Sequence, residues 1–89
     1  MFHVILECEG IPELVGPQAA VDITEEFLQR PWHQNVRCTW DGTSLRLEAD
    51  NDYDKTGLAL RDEFSDAITA CVKDPGEGDL RVVSVTEVA

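Results

Sequence analysis

The sequence predicts an α+β fold, and its hydrophobic periodicity and turn residues are the observations behind that prediction. Segment 2–9 alternates apolar and polar residues, which indicates a strand with one buried face. Segments 17–30 and 54–73 repeat apolar residues every three or four positions, as amphipathic helices do. A hairpin over 35–50 and a last strand over 80–88 complete the order β-α-β-β-α-β.

The first strand is predicted to bury its even-numbered residues. These are all apolar: Phe2, Val4, Leu6 and Cys8. His3, Ile5, Glu7 and Glu9 then lie on the opposite face, because successive side chains in a strand point to opposite sides. Glycine and proline break the chain after this strand. The apolar residues of the loop 10–16 are expected either to close the end of the core or to extend a binding surface.

Both helices are predicted from an apolar stripe. Pro17 suits the first turn of the first helix, and Pro31 is expected to end it because the residue before a proline avoids the helical conformation. The stripe of the first helix is Ala20, Ile23, Phe27 and Leu28. The stripe of the second is Leu60, Phe64, Ala67, Ile68 and Cys71, while Asp62, Glu63 and Asp66 are expected to face water.

The hairpin allows two registers that keep its apolar faces together. A two-residue turn at Asp41-Gly42 sets Arg37 opposite Arg46, and like charges at paired positions are unfavourable. A four-residue loop, 41–44, sets Arg37 opposite Glu48 instead. The sequence therefore favours the four-residue loop, with Trp40 opposite Leu45.

The order of elements predicts how the chain assembles. Two β-α-β halves pack as a four-stranded antiparallel sheet with both helices on one face, the ferredoxin-like split β-α-β arrangement. The first and third strands are expected in the centre, with the fourth beside the first. We expect one domain over 1–89, because a chain of 89 residues supports a single core.

The segment 50–54 carries aspartate at every second position: Asp50, Asp52 and Asp54. A calcium-binding EF-hand loop that begins at Asp50 needs glycine at its sixth position and glutamate at its twelfth. Those positions hold Lys55 and Arg61, so the EF-hand pattern fails. Our preferred interpretation is that Asp54 caps the second helix. A calcium site of another kind is the alternative.

Charge and cysteine content exclude several classes of partner. Eighteen acids oppose seven bases, and a net charge of −11 disfavours nucleic acids and anionic membranes. The sequence has neither an apolar run long enough to span a bilayer nor the pattern of a signal peptide. Three widely spaced cysteines do not suggest a disulfide framework. We therefore expect a cytoplasmic protein.

Catalytic and cofactor-binding motifs are not evident in the sequence. The two histidines, His3 and His33, are separated by a helix, and no serine or cysteine stands beside a base. Neither a dinucleotide-binding nor a phosphate-binding glycine motif occurs. The sequence thus predicts no enzyme, no cofactor and no metal site.

A protein-interaction or self-association surface is the function that the sequence favours. Ile5 from the first strand and Val83 and Val85 from the fourth are predicted to form an apolar patch on the outer side of the sheet. Trp32, in a loop after a proline, is a candidate contact anchor. The alternative is a domain that binds a small ligand or calcium through segment 50–54 or loop 10–16.

Overall fold

A computed structural model describes residues 1–72 and 79–88 of the chain. It has four strands and two helices in the predicted order. Their bounds are β1 Phe2–Glu9, α1 Gly16–Phe27, β2 Gln34–Trp40, β3 Ser44–Asn51, α2 Leu58–Cys71 and β4 Asp79–Glu87. The predicted turn over 74–79 lies almost wholly outside the described residues.

The four strands form one antiparallel sheet in the order β2-β3-β1-β4. The prediction that β1 and β3 lie in the centre, with β4 beside β1, is confirmed. Both helices pack on the sheet face that carries the even-numbered residues of β1, and one apolar cluster joins these three parts. The largest fully buried members of that cluster are Phe27, Phe64, Leu6, Ile23, Leu45, Leu47, Leu60 and Val4.

The hairpin adopts the predicted register. Arg37 pairs with Glu48, and Trp40 pairs with Leu45. The Asp41 carboxylate stabilises the connecting loop, since its Oδ1 accepts hydrogen bonds from the backbone amides of Thr43 and Ser44, both at 2.8 Å. These hydrogen bonds lower the pKa of Asp41 to about 2.

The prediction that Val85 of β4 lies on the outer side of the sheet is wrong. The register between β1 and β4 shifts after Ile5, which pairs with Ser84, whereas Leu6 pairs with Val82. Val83 is the additional residue of this β-bulge, and a bulge reverses the alternation of every residue beyond it. Val85 therefore pairs with the buried Val4 and packs against the core. The outer patch loses one of its three predicted members.

The helix ends also differ from the prediction. Helix α1 stops at Phe27, so Leu28 lies outside it and is 74% exposed instead of joining the apolar stripe. The other three stripe residues are buried. Helix α2 starts at Leu58, four residues later than predicted, because the side chain of Asp54 organises the segment that precedes it.

Candidate interaction surfaces

Within the described residues, one face of the sheet is not covered by the helices, and its side chains form four rows across the strands. We call these rows the open sheet face. They are Ser44, Glu9 and Asp79; Thr39, Arg46, Glu7 and Arg81; Arg37, Glu48, Ile5 and Ser84; and Gln34, Asp50, His3 and Thr86. The rows contain three arginines and five carboxylates. This face therefore carries a formal charge of −2, although the whole chain carries −11.

Ion pairs and hydrogen bonds connect neighbouring strands on the open sheet face. Arg81 donates a hydrogen bond to Glu7 at 2.9 Å, and Nδ1 of His3 lies 2.6 Å from Oδ1 of Asp50. Within β3, Arg46 contacts Glu48 at 3.2 Å. Burial raises the pKa of Asp50, but hydrogen bonds from Asn35 and His3 have the larger, opposite effect, so the pKa is lowered overall. Asp50 therefore stays ionised near neutral pH, in contact with His3 and Asn35.

Two of the predicted interaction residues remain available on this side of the molecule. Ile5 is half-buried at the centre of the open sheet face, between Glu48 of β3 and Ser84 of β4. Val83 sits at the bulge of the edge strand β4 and is 45% exposed. The apolar part of the surface is consequently smaller than the sequence predicted.

Both edges of the sheet are irregular. Strand β4 carries the bulge at Val83, and the pairing of β2 with β3 shifts between Gln34 and Arg37. Asn35, at this second irregularity, has a positive φ of 54°. Interrupted edges resist the addition of another strand. The flat face is therefore better suited to contact another protein than either edge.

Trp32 belongs to a different surface, on the helical side of the molecule. Its indole Nε1 donates a hydrogen bond to Oε1 of Glu63 in α2 at 3.3 Å. The same carboxylate binds three further side chains, and we call the five residues the Glu63 cluster. The other contacts are Arg30 Nη1 at 3.0 Å, His33 Nε2 at 2.8 Å and the Tyr53 hydroxyl at 3.2 Å.

His33 is the buried centre of the Glu63 cluster. Its side chain is closed to solvent, and its Nδ1 lies 3.5 Å from the side-chain amide nitrogen, Nδ2, of Asn51. The rings of Trp32 and Tyr53 pack around it, with centroids 5.9 and 6.1 Å away. An imidazole with both nitrogens engaged and no access to solvent has a structural role. The sequence indicated only a loop histidine here.

The pKa values in the cluster reflect the shared carboxylate. Burial raises the pKa of Glu63, but hydrogen bonds from His33 and Arg30 outweigh burial and lower it overall. Burial and the nearby Glu63 charge raise the pKa of Tyr53 to about 12. Glu63 therefore stays ionised and Tyr53 stays protonated near neutral pH, which preserves the hydrogen bond between them.

Sequence reasoning missed Glu63 because helical periodicity put it on the wet side of α2. Its side chain is only 20% exposed, since residues 30–33 of the α1–β2 loop cover it. One signal was present: arginine, tryptophan and histidine occur within four positions of a short loop. Side chains with polar tips that lie on a core edge need acceptors.

The aspartates of segment 50–54 do not converge. Asp50 contacts His3 and Asn35 on the open sheet face. Asp54 instead turns towards α2, where it accepts hydrogen bonds from the amides of Gly57 and Leu60. This confirms that Asp54 caps the second helix. Across 1–72 and 79–88, no three histidine, cysteine, aspartate or glutamate side chains form a group that could hold a metal ion.

The loop 10–16 divides its apolar residues between core and surface. Ile11 is buried and closes the end of the core, whereas Leu14 is 96% exposed and Val15 is partly exposed. Gly16 packs directly beneath the indole ring of Trp40. The loop thus covers the core edge and leaves Leu14 and the neighbouring Val15, which is 40% exposed, on the surface.

Comparison of this chain with models of protein families, with curated proteins and with solved structures found no match. Neither helix in the described part of the chain has the length and hydrophobicity that a membrane span requires.

Proposed function

We propose that this protein is a self-association module in which two copies pack through their open sheet faces. The observation that carries the proposal is the low net charge of that face. The face holds three of the seven bases and five of the eighteen acids, so it carries −2 while the rest of the chain carries −9. Two copies that approach through other surfaces meet stronger repulsion.

The arrangement of charges on the face also suits a symmetric pair. A two-fold axis brings the same patch of each copy together, and arginines and carboxylates alternate within that patch. Arg46 and Arg81 flank Glu7 in one row, so the arginines of one copy can meet carboxylates of the other. Ile5 supplies an apolar contact at the centre.

The size of the face agrees with a modest interface. Four strands spaced about 4.8 Å apart, each rising about 3.3 Å per residue, give a face of roughly 19 by 25 Å. Two such faces bury on the order of 1,000 Å², which is near the lower limit for a specific contact between proteins. We therefore expect a dimer that dissociates on dilution.

The proposal includes the fold family and the compartment. The order of elements and the strand order support a ferredoxin-like assignment. The free cysteines Cys8, Cys38 and Cys71 support a reducing, cytoplasmic environment.

A small-ligand or calcium-binding function is less favoured, because Asp50 and Asp54 already have partners within the chain.

Molecular mass in solution tests the proposal. Light scattering after size exclusion is expected to give a mass approaching twice the 9.9 kDa of one chain as the concentration rises. Ile5→Lys is expected to shift the mass to that of one chain. Val21→Lys is the matched control, because it makes the same charge change at an exposed position of α1.

Two outcomes overturn the proposal. One is a monomer at every concentration from about 10 μM to about 1 mM. The other is a dimer that Ile5→Lys leaves intact while Val21→Lys disrupts it, which would locate the contact on the helical side.

A further inference from the structure

We propose that Trp32 and Tyr53 form a docking site for arginine side chains of a basic segment in a partner protein. This site lies on the helical side, because both residues contact Glu63 of α2. It is therefore separate from the open sheet face, and it does not depend on self-association.

Both aromatic rings are exposed and yet fixed in position. Trp32 is 52% exposed and Tyr53 is 46% exposed. The polar end of each side chain is hydrogen-bonded to the Glu63 carboxylate, and each ring rests on buried His33. A ligand that contacts these rings does not have to immobilise them first, so less conformational entropy is lost on binding.

The chemistry of the rings favours a cation. The face of an indole or phenol ring carries negative electrostatic potential, and arginine guanidinium groups stack on it readily. The chain's own nearby guanidinium is already engaged: Arg30 binds Glu63 at 3.0 Å and lies over the Phe27 ring at 5.0 Å. Trp32 and Tyr53 are thus left for a guanidinium from outside.

The surrounding charge selects the same kind of ligand. Two acids are near the site: Glu26 on α1 lies 3.7 Å from Arg30 of the Glu63 cluster, and the exposed Asp62 on α2 precedes Glu63 in sequence. Because the open sheet face carries only −2, the other −9 of the net charge belongs to the rest of the chain. Such a field attracts basic segments and repels acidic ones. The aromatic pair then gives a specific contact within an otherwise general attraction.

The test uses a fluorescein-labelled peptide of about twelve residues with arginine at alternate positions, titrated at physiological salt and followed by anisotropy. Trp32→Ala keeps the net charge, so binding by charge alone is unaffected by it. We expect this substitution to weaken binding at least about fivefold, as the loss of a cation–π contact and its buried area implies. Leu14→Ala, at another exposed apolar residue, is the matched control and is expected to change nothing.

A second measurement follows the indole N–H groups of the tryptophans directly. The chain has two tryptophans, so a nitrogen–proton correlation spectrum shows two indole signals. The peptide is expected to shift the indole signal of Trp32 and to leave that of the partly buried Trp40 in place.

Trp32→Phe, which keeps an aromatic face without the N–H group, is expected to retain most of the affinity.

The proposal is overturned if Trp32→Ala binds the peptide as well as the unmodified chain, because net charge then explains the binding. It is also overturned if the peptide shifts neither indole signal at physiological salt. Neither result bears on the mass measurement for the open sheet face, so the two proposals fail separately.

Discussion

Oδ2 of Asp54 accepts a hydrogen bond from the backbone amide of Leu60 at 2.9 Å. Its Oδ1 accepts further hydrogen bonds from the amides of Gly57 and Ala59, at 3.0 and 3.4 Å. The first amides of a helix lack partners within the helix, and this one carboxylate binds several of them. Because Asp54 is only 4% exposed, water cannot readily replace it.

Asp54→Ala is therefore expected to lower the free energy of unfolding by about 2 kcal/mol, which is at the upper end for loss of a cap. Asp54→Asn keeps one acceptor oxygen and is expected to cost less. Urea denaturation measures both. The exposed Asp52 is the control: Asp52→Ala is expected to change stability little, and an equal loss at both positions would contradict the capping role.

Calcium is expected not to stabilise the chain specifically. Asp54 is occupied by backbone amides and Asp50 by His3 and Asn35, so segment 50–54 offers few free oxygens. Thermal melts in millimolar calcium and in sodium chloride of the same ionic strength are expected to coincide. The match in ionic strength is required because any salt screens a charge of −11. A calcium-specific rise that Asp52→Asn abolishes would show that a site exists.

Gly16→Ala is expected to destabilise the fold by about 1–3 kcal/mol through overpacking. A Cβ atom at this position would overlap the Trp40 indole ring, so the ring or helix α1 has to move. Thermal denaturation measures the effect. Trp40→Leu in the same chain removes the clash, and Gly16→Ala is then expected to cost less than it does alone. An equal cost in both backgrounds would show that Trp40 is not the cause.

The parts of the fold that the sequence predicted depend on local rules. The hairpin register followed from the charges of Arg37, Arg46 and Glu48, which are close in sequence. The helix stripes followed from their spacing. Asp54 was recognised as a cap because capping is a relationship between near neighbours in the chain.

The parts that the sequence did not predict depend on distant contacts. The bulge at Val83 arises from how β4 pairs with β1, more than seventy residues earlier, and no turn residue marks it. Arg30 contacts Glu63, which is thirty-three positions later in the chain. Arg30 also lies outside helix α1, which ends at Phe27, so the helical periodicity does not place it. The Glu63 cluster therefore appears only when α2 and the α1–β2 loop are packed together.

The bulge gives a prediction that separates two neighbouring valines. Val85→Lys is expected to lower the melting temperature, because Val85 packs against the core beside Gly57 and Val4. Val83→Lys is expected to leave it nearly unchanged, because Val83 is exposed at the sheet edge. The two variants carry the same charge change two positions apart. Equal melting temperatures, or the reverse order, would mean that β4 lacks this bulge in solution.

Glu63→Gln tests the charge of the Glu63 cluster through the pH dependence of stability. The pKa of Glu63 in the folded chain is lowered from its usual 4.5, because hydrogen bonds from His33 and Arg30 outweigh the opposing effect of burial. A carboxyl group with a lowered folded pKa binds protons more weakly than in the unfolded chain. Its contribution to stability is therefore complete above the usual pKa and is lost as pH falls through the lowered value.

The unmodified chain is consequently expected to be more stable than Glu63→Gln at pH 7, by about 1–3 kcal/mol as for a charge-assisted contact. That difference is expected to shrink between about pH 5 and pH 3. Urea denaturation at each pH measures it.

Asp41 and Asp50 have lowered pKa values as well, but both residues are present in the unmodified chain and in Glu63→Gln. Their effects therefore cancel when the stabilities of the two proteins are subtracted. Glu13→Gln, at an exposed acid, is the control. A difference that stays constant from pH 7 to pH 3 would assign the role of Glu63 to packing rather than to its charge.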